Sequence, residues 1–267
     1  MEQSRLEAIR NWFDGYVASF YDTDPEALKN IILKVEHTHK VCEIMDGLAA
    51  GEKLSPGNCR IAAATALLHD VGRFPQYRRW RTFRDSESDN HARMAVDVIR
   101  EHEVLKGIDS QECLLIEEAV RFHNLLQPPQ KIQSYTDLFV LLVRDADKLD
   151  IWRVFLEQYT LPLEQQASAV CLGLPDSTEF SPTCISDLAA KSVVRMEECR
   201  SVNDLKLMLI SWALQLGFTT SYQMLLERNY IERLAATLNG SQDEVSSSLH
   251  EIINEVKLRA QHFGTHA

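Results

Sequence analysis

Apolar residues recur along most of this chain at intervals of three and four, the period of a helix. Residues 5–20 carry Leu6, Ile9, Phe13, Tyr16 and Val17, which predicts an amphipathic helix with one buried stripe. Asp24-Pro25 reads as a cap followed by proline at a first turn, and predicts a second helix running to Leu48. Ser55-Pro56 opens a third, expected to end at Gly72. Residues 73–90 break the period and read as an ordered loop or short helical turns. Helices are expected again near 89–105, 111–126 and 135–159. Strand-like alternation is nearly absent, so the expected fold is all-α.

Residues 160–187 hold Pro162, Gly173, Pro175 and Pro182 among scattered Ser and Thr. They mark the best boundary, with helical patterning resuming over 187–260. The expectation is a helical core over 1–160 and a C-terminal helical extension over 161–267 packed on it.

Several of these apolar faces carry groups that are costly to bury. His37 is followed by Val41, Ile44, Met45 and Leu48, which places it on the buried face of its helix. His39 is turned roughly two hundred degrees away. His91 precedes Ala95, Val98 and Ile99 at the same spacing, and His123 follows Ile116, Ala119 and Val120. His69-Asp70 ends the apolar run Ile61–Leu68. Any one such histidine is most simply a core residue satisfied by a carbonyl. Three on separate helices, with a buried His-Asp step and an acidic pair inside an apolar helix, favour a metal partner. That pair is Asp145 and Asp147, in Leu138–Asp150. Asp145 shares a face with Leu138, Leu141 and Leu142, and Asp147 with Val140, Val143 and Ile151, so periodicity does not choose between them.

The order His…His-Asp…Asp, in the phrases His37-Thr38-His39-Lys40-Val41, Leu67-Leu68-His69-Asp70-Val71-Gly72 and Ala146-Asp147-Lys148-Leu149, resembles the HD-domain superfamily of metal-dependent phosphohydrolases. The resemblance covers roughly residues 25–160. It implies an HD-type helical bundle, with His37 as first ligand and Asp147, in its Ala-Asp step, as last. His91 and His123 look like the additions of the six-ligand subgroup that binds two metals, found in diadenosine tetraphosphate hydrolases and HD-GYP phosphodiesterases. The Gly-Tyr-Pro stretch that names the latter is absent, which argues against a cyclic dinucleotide.

The resemblance implies two-metal hydrolysis of a phosphate ester or anhydride of a small molecule, with a nucleotide favoured. Asp70 would bridge the ions, His37, His69 and Asp147 would complete one shell, and His91 and His123 the other. A bridging water of lowered pKa would be the nucleophile. Iron or manganese suits such a donor set, and zinc is compatible with it. Arg73 and Arg78 are candidates to neutralise substrate charge, and Lys148 to orient the nucleophile or neutralise an aspartate. The same ligands serve diiron oxygenases acting on a small polyol or phosphonate, which is the alternative activity. A non-catalytic sensor ranks lower, since every ligand element is present.

Composition narrows the partners. The formal net charge is −11, which disfavours general nucleic-acid binding and makes an anionic substrate depend on local cations or metal. Against that background, residues 73–84 hold five arginines and no acid, interleaved with Phe74, Tyr77, Trp80 and Phe83. Two readings stay open: a phosphate-binding and base-stacking segment, or a solvated loop paired with Asp85, Glu87 and Asp89. The six cysteines form no C-x-x-C pair. The N-terminus lacks the pattern of a secretion signal, and no apolar run is long enough to span a bilayer, so a cytoplasmic protein without membrane contact is expected.

Overall fold

A computed structural model describes residues 1–126, 134–240 and 243–261. Its regular secondary structure is helical, with no strand among the described residues. None of these helices is long and apolar enough to cross a membrane. The chain divides into two compact units, one of Met1–Asp150 with Ala167–Ala169, the other of Ile151–Gln166 with Val170–Ala267. The division thus runs through a helix, whereas the sequence expectation placed it in the loop-rich stretch that follows.

In the first unit, α1 (Gln3–Ala18) buries Leu6, Ile9, Phe13 and Val17. Helix α2 (Pro25–Gly51) starts where the Asp24 carboxylate accepts from the amides of Glu26 and Ala27, and buries His37, Val41, Ile44, Met45 and Leu48 on one face. Helix α3 (Pro56–Leu68) is capped by Ser55, whose hydroxyl accepts from the amide of Asn58, and is buried from Ile61 to its end. The helix stops four residues before the expected Gly72, because the chain turns at His69-Asp70.

Of the two forms expected for 73–90, the structure shows the helical one. Residues Arg73–Trp80 form α4, which buries Phe74, Gln76 and Tyr77 and sends Arg78 and Arg79 outward. Pro75 lies in its first turn, where an amide hydrogen has no intrahelical acceptor to lose. Arg81, in the left-handed region at φ 55°, ends it. Asn90 then caps α5 (His91–Glu101) through the amide of Arg93, and Asp109 caps α6 (Ser110–Phe122). Helix α7 (Ser134–Tyr159) follows. Helix α3 packs on α1, α2 and α6, and α5 on α4 and α6. Residues 167–169 return to this unit, where Glu26 and Asn30 accept from the amides of Ser168 and Ala169.

The second unit is organised around α9 (Val202–Ser211), which follows α8 (Pro182–Ala189) and is buried at every position. Its polar residues therefore need internal partners. Asp204 forms a capping box with Ser201 and accepts from the amide and hydroxyl of Ser181 at 2.8 and 2.6 Å. Lys206 donates to Tyr159 and to the Thr237 carbonyl. Helices α10 (Thr219–Glu227), α11 (Tyr230–Ala235) and α12 (Asp243–Gln261) complete it.

Gly72 sets how closely α4 and α5 approach. A Cβ there would collide with the carbonyl oxygen of His91 and lie 2.5 Å from the amide nitrogen of Ala95, both rigid backbone atoms. Gly72→Ala should therefore lower stability by about 1–3 kcal/mol through forced overpacking. Gly57→Ala, whose Cβ would meet nothing nearer than Ser55 Oγ at 4.0 Å, should leave it unchanged or slightly raised. Denaturant unfolding of the two variants checks this, and equal effects would contradict it.

Candidate metal centre

Four buried histidines converge from four helices of the first unit. His37 lies inside α2, His69 caps the C-terminus of α3, His91 is the first residue of α5, and His123 caps the C-terminus of α6. Each of these residues is 0–4% exposed. His69 and His123 share a local device. The ring turns back so that Nδ1 sits 2.7 Å from the carbonyl oxygen three residues earlier, Ala66 or Val120. That carbonyl belongs to the last turn of the helix, where no amide is available to it.

The other two rings lean on carboxylates. His37 Nδ1 lies 2.7 Å from Asp150 Oδ2, and His91 Nδ1 lies 2.8 and 2.9 Å from the two oxygens of Asp85. A carbonyl or an ionised carboxylate only accepts, so all four Nδ1 atoms carry the hydrogen. In a neutral ring the lone pair is then on Nε2, and all four Nε2 atoms point inward. His91 Nε2 and His123 Nε2 are 3.1 Å apart. His37 Nε2 and His69 Nε2 are buried without a hydrogen-bond partner. Lone pairs set against each other in a buried space are held together by a positive charge.

Two carboxylates enter the same space. Asp70 Oδ2 lies 3.6 Å from His37 Nε2 and 3.7 Å from His69 Nε2. Its Oδ1 lies 3.5 Å from His91 Nε2 and 3.9 Å from His123 Nε2. The two oxygens thus face different histidine pairs. Asp147 Oδ1 lies 3.1 Å from His37 Nε2 and 3.7 Å from His69 Nε2. Among the described residues, three overlapping sets could hold a metal ion: His37, His69 and Asp70; Asp70, His91 and His123; and His69, His123 and Asp147.

The electrostatics keep donors in a ligating state. Burial and Arg73 push the His91 pKa down, against the pull of Asp85 and Asp70. Burial, with His91 and His69 alongside, pushes His123 down to about 3. Both rings are therefore neutral near pH 7. Burial raises the carboxyl pKa of Asp70, but Lys34, His69, Arg73 and His91 outweigh it and hold the group well below the usual range. Asp147 is likewise held low, by His37 and His69 against burial. His37 differs. Burial and Lys34 lower its pKa, yet Asp147 and Asp150 prevail and the net shift is upward.

A second ring of side chains contacts these groups. Asp85 accepts from Arg73 Nη1 at 3.1 Å, Gln76 Nε2 at 2.9 Å and Asn124 Nδ2 at 3.2 Å as well as from His91. Arg144, buried in α7, donates to the carbonyls of His123, Leu125 and Leu126 and so closes the C-terminus of α6. Lys34 Nζ donates to Asp70 Oδ2 at 2.8 Å. The sequence pattern assigned none of Lys34, Gln76, Asn124 or Asp150 to the site, and Asp85 only as a partner for arginines. The one available signal was the position of Lys34, a turn before His37.

The remaining expected residues fall in different places. Arg73 is committed to the Phe83 carbonyl at 2.5 Å, to Gln76 at 3.0 Å and to Asp85, with Nε 3.4 Å from Asp70 Oδ1. Arg78 lies over the Phe20 ring, 3.9 Å from its centroid, and donates to the Ser19 carbonyl beyond the end of α1. Lys148 is buried, and burial with Arg144 nearby pulls its pKa down to about 8. Asp145 is buried, 1% exposed, while Asp147 is the member of the pair that meets His37 and His69.

Residues 35–152 match the family model of the HD domain. The match takes in every histidine and aspartate of the cluster, within less than half of the chain, and it supports placing this segment in the HD-domain superfamily. HD domains are typically metal-dependent hydrolases, and the donor set described above suits that chemistry. No curated protein and no solved structure gives a significant match.

Within the matched segment, Asp85 has a pH signature. Burial raises its pKa, but hydrogen bonding to His91, the charges of His91 and Arg73 and the Gln76 contact bring it down from 3.8 to about 2. A depressed carboxylate contributes stability that is present above its unfolded pKa and lost as pH falls through the folded one. Wild type should exceed Asp85→Asn by about 1–2 kcal/mol at pH 5, and the gap should close between pH 4 and 2. Urea unfolding across that range measures it; a gap that stays constant would show that Asp85 acts through packing alone.

Proposed function

We propose that the chain is a metal-dependent phosphohydrolase that uses two metal ions to cleave a phosphate ester or anhydride of a small molecule, with a nucleotide the favoured class. The observation that carries this reading is the division of Asp70, whose two oxygens face separate histidine pairs. One carboxylate reaching both pairs suits a bridge. His37, His69 and Asp147 would complete one side, and His91 and His123 the other.

The ions, when bound, supply an acidified water and a Lewis-acid contact for phosphoryl oxygens. The chain's own residues supply orientation. Asp150 and Asp85 hold the His37 and His91 rings, and the carbonyls of Ala66 and Val120 hold those of His69 and His123. Arg73, with its guanidinium taken up by Asp85, Gln76 and Phe83, acts as a brace for Asp70 rather than a free anion hook. Lys148, the residue after Asp147 and so about 100° around α7 from it, serves as a buried counter-charge to the aspartates. Iron or manganese fits the histidine-rich donors, with zinc also compatible. The second unit is proposed as a helical extension without ligands of its own.

Protein reconstituted without oxygen should carry close to two transition-metal ions per chain, by elemental analysis. It should release phosphate from a nucleotide or phosphodiester panel without consuming oxygen. Asp70→Ala should lose metal and activity by orders of magnitude, and Asp147→Asn should lose most of both. Asp145→Asn should keep its metal and lose stability by about 1–3 kcal/mol, as expected for a disturbed buried polar group. Metal-dependent oxygen uptake in place of phosphate release would overturn the hydrolase reading. Equal metal loss in Asp145→Asn and Asp147→Asn would overturn the ligand assignment.

A further inference from the structure

We propose that Lys34 is the residue that receives the substrate's anionic group, and that its pairing with Asp70 is the substrate-free state of that interaction. The proposal rests on the hydrolase reading and adds the side chain through which the substrate is recognised.

The first unit holds several cations near the cluster, and their surroundings separate them. Arg73 has four partners, two of them carboxylates, and its guanidinium is fixed by the Phe83 carbonyl and Gln76. Arg144 is spent on the carbonyls that end α6. Arg78 is engaged at the end of α1. Lys148 is buried, next in sequence to Asp147. Of these described cations, Lys34 combines a single polar side-chain partner with a route to solvent. Its ammonium donates to Asp70 Oδ2, and its side chain is 16% exposed where that of Asp70 is 3% exposed. It therefore stands on the solvent side of the carboxylate.

The oxygen it holds is the one that faces His37 and His69. A cation ligated by that histidine pair and Asp70 would meet the Lys34 ammonium as a like charge across one oxygen atom. Two like charges sharing a carboxylate repel, and the weaker hold is the flexible one. Lysine has a four-carbon stem and no second partner here, so it can give up Asp70 at little cost. A released ammonium beside a cationic centre is a site for an anion, and the substrate's phosphoryl group is the anion the proposed reaction brings. The Phe83 ring, 5.4 Å from Nζ, limits the directions in which the ammonium can swing. Metal and anion binding are then linked, each favouring the other.

The test uses the full chain loaded with manganese and freed of excess metal, with inorganic phosphate as the probe and calorimetry as the readout. Three proteins are compared: wild type, Lys34→Met and Lys34→Arg. Lys34→Met should keep the full metal content, with metal affinity in the absence of phosphate no lower than wild type. Its phosphate affinity should fall about tenfold or more, the loss expected for one charge-assisted contact. Lys34→Arg should recover most of it. Lys34→Met binding phosphate as tightly as wild type would overturn the proposal and leave the hydrolase reading standing. Loss of metal in Lys34→Met would also overturn it, by making Lys34 a brace for Asp70. A loaded wild type that binds no phosphate at all would remove both, and is recognised before any variant is measured.

Discussion

Each imidazole of the cluster gives its Nδ1 hydrogen to a group that can only accept, and everything else about the site depends on that constraint. Two acceptors are carbonyls at helix ends, and two are carboxylates from elsewhere in the chain. With the hydrogen fixed outward, the inward nitrogen has only a lone pair to offer. Four such lone pairs and two carboxylates line one buried space. Such a set suits a cation, and this geometry could hold a metal ion.

The helices are arranged so that this constraint can be met. Helices α3 and α6 end at the centre, and each ends on a histidine that caps its own last turn. Helix α5 begins there, with His91 at its first position, and Gly72 lets α4 and α5 approach closely enough to bring it in. Helix α2 contributes His37 from its interior, and α7 contributes both Asp147 and, one turn later, the Asp150 that orients His37. Arg144 and Arg73 join these pieces from either side. Few members of this network of hydrogen bonds and ion pairs face solvent.

Much of this was legible from periodicity, and the exceptions have physical causes. The stripe of Leu6, Ile9, Phe13 and Val17, the Asp24 and Ser55 caps, and the buried faces bearing His37 and His91 follow from spacing alone. The end of α3 was misplaced because an apolar run continues the helical pattern into His69-Asp70, where the chain turns for the sake of the site. The arginines and Pro75 of α4 left loop and helical turns as alternatives, although a proline in the first turn and a polar outer face are both compatible with a helix. Asp145 and Asp147 could not be separated by period within an apolar helix, because the choice depends on which face meets His37. Asp150 lies 113 residues from the ring it orients, and Asp85 sits in a short turn with no period. Contacts of that kind belong to tertiary structure and leave no mark on a single sequence.

The central claim is that four histidines present Nε2 lone pairs to a metal ion because their Nδ1 hydrogens are held outside. Long-range proton–nitrogen correlation spectra of the histidine side chains, recorded on the metal-free chain and after zinc addition, test this most directly. The account predicts that His37, His69, His91 and His123 appear as Nδ1–H tautomers in the loaded protein, with their Nε2 resonances shifted by zinc, while exposed His39 is unaffected. Rings in the Nε2–H tautomer, or Nε2 resonances indifferent to zinc, would contradict it.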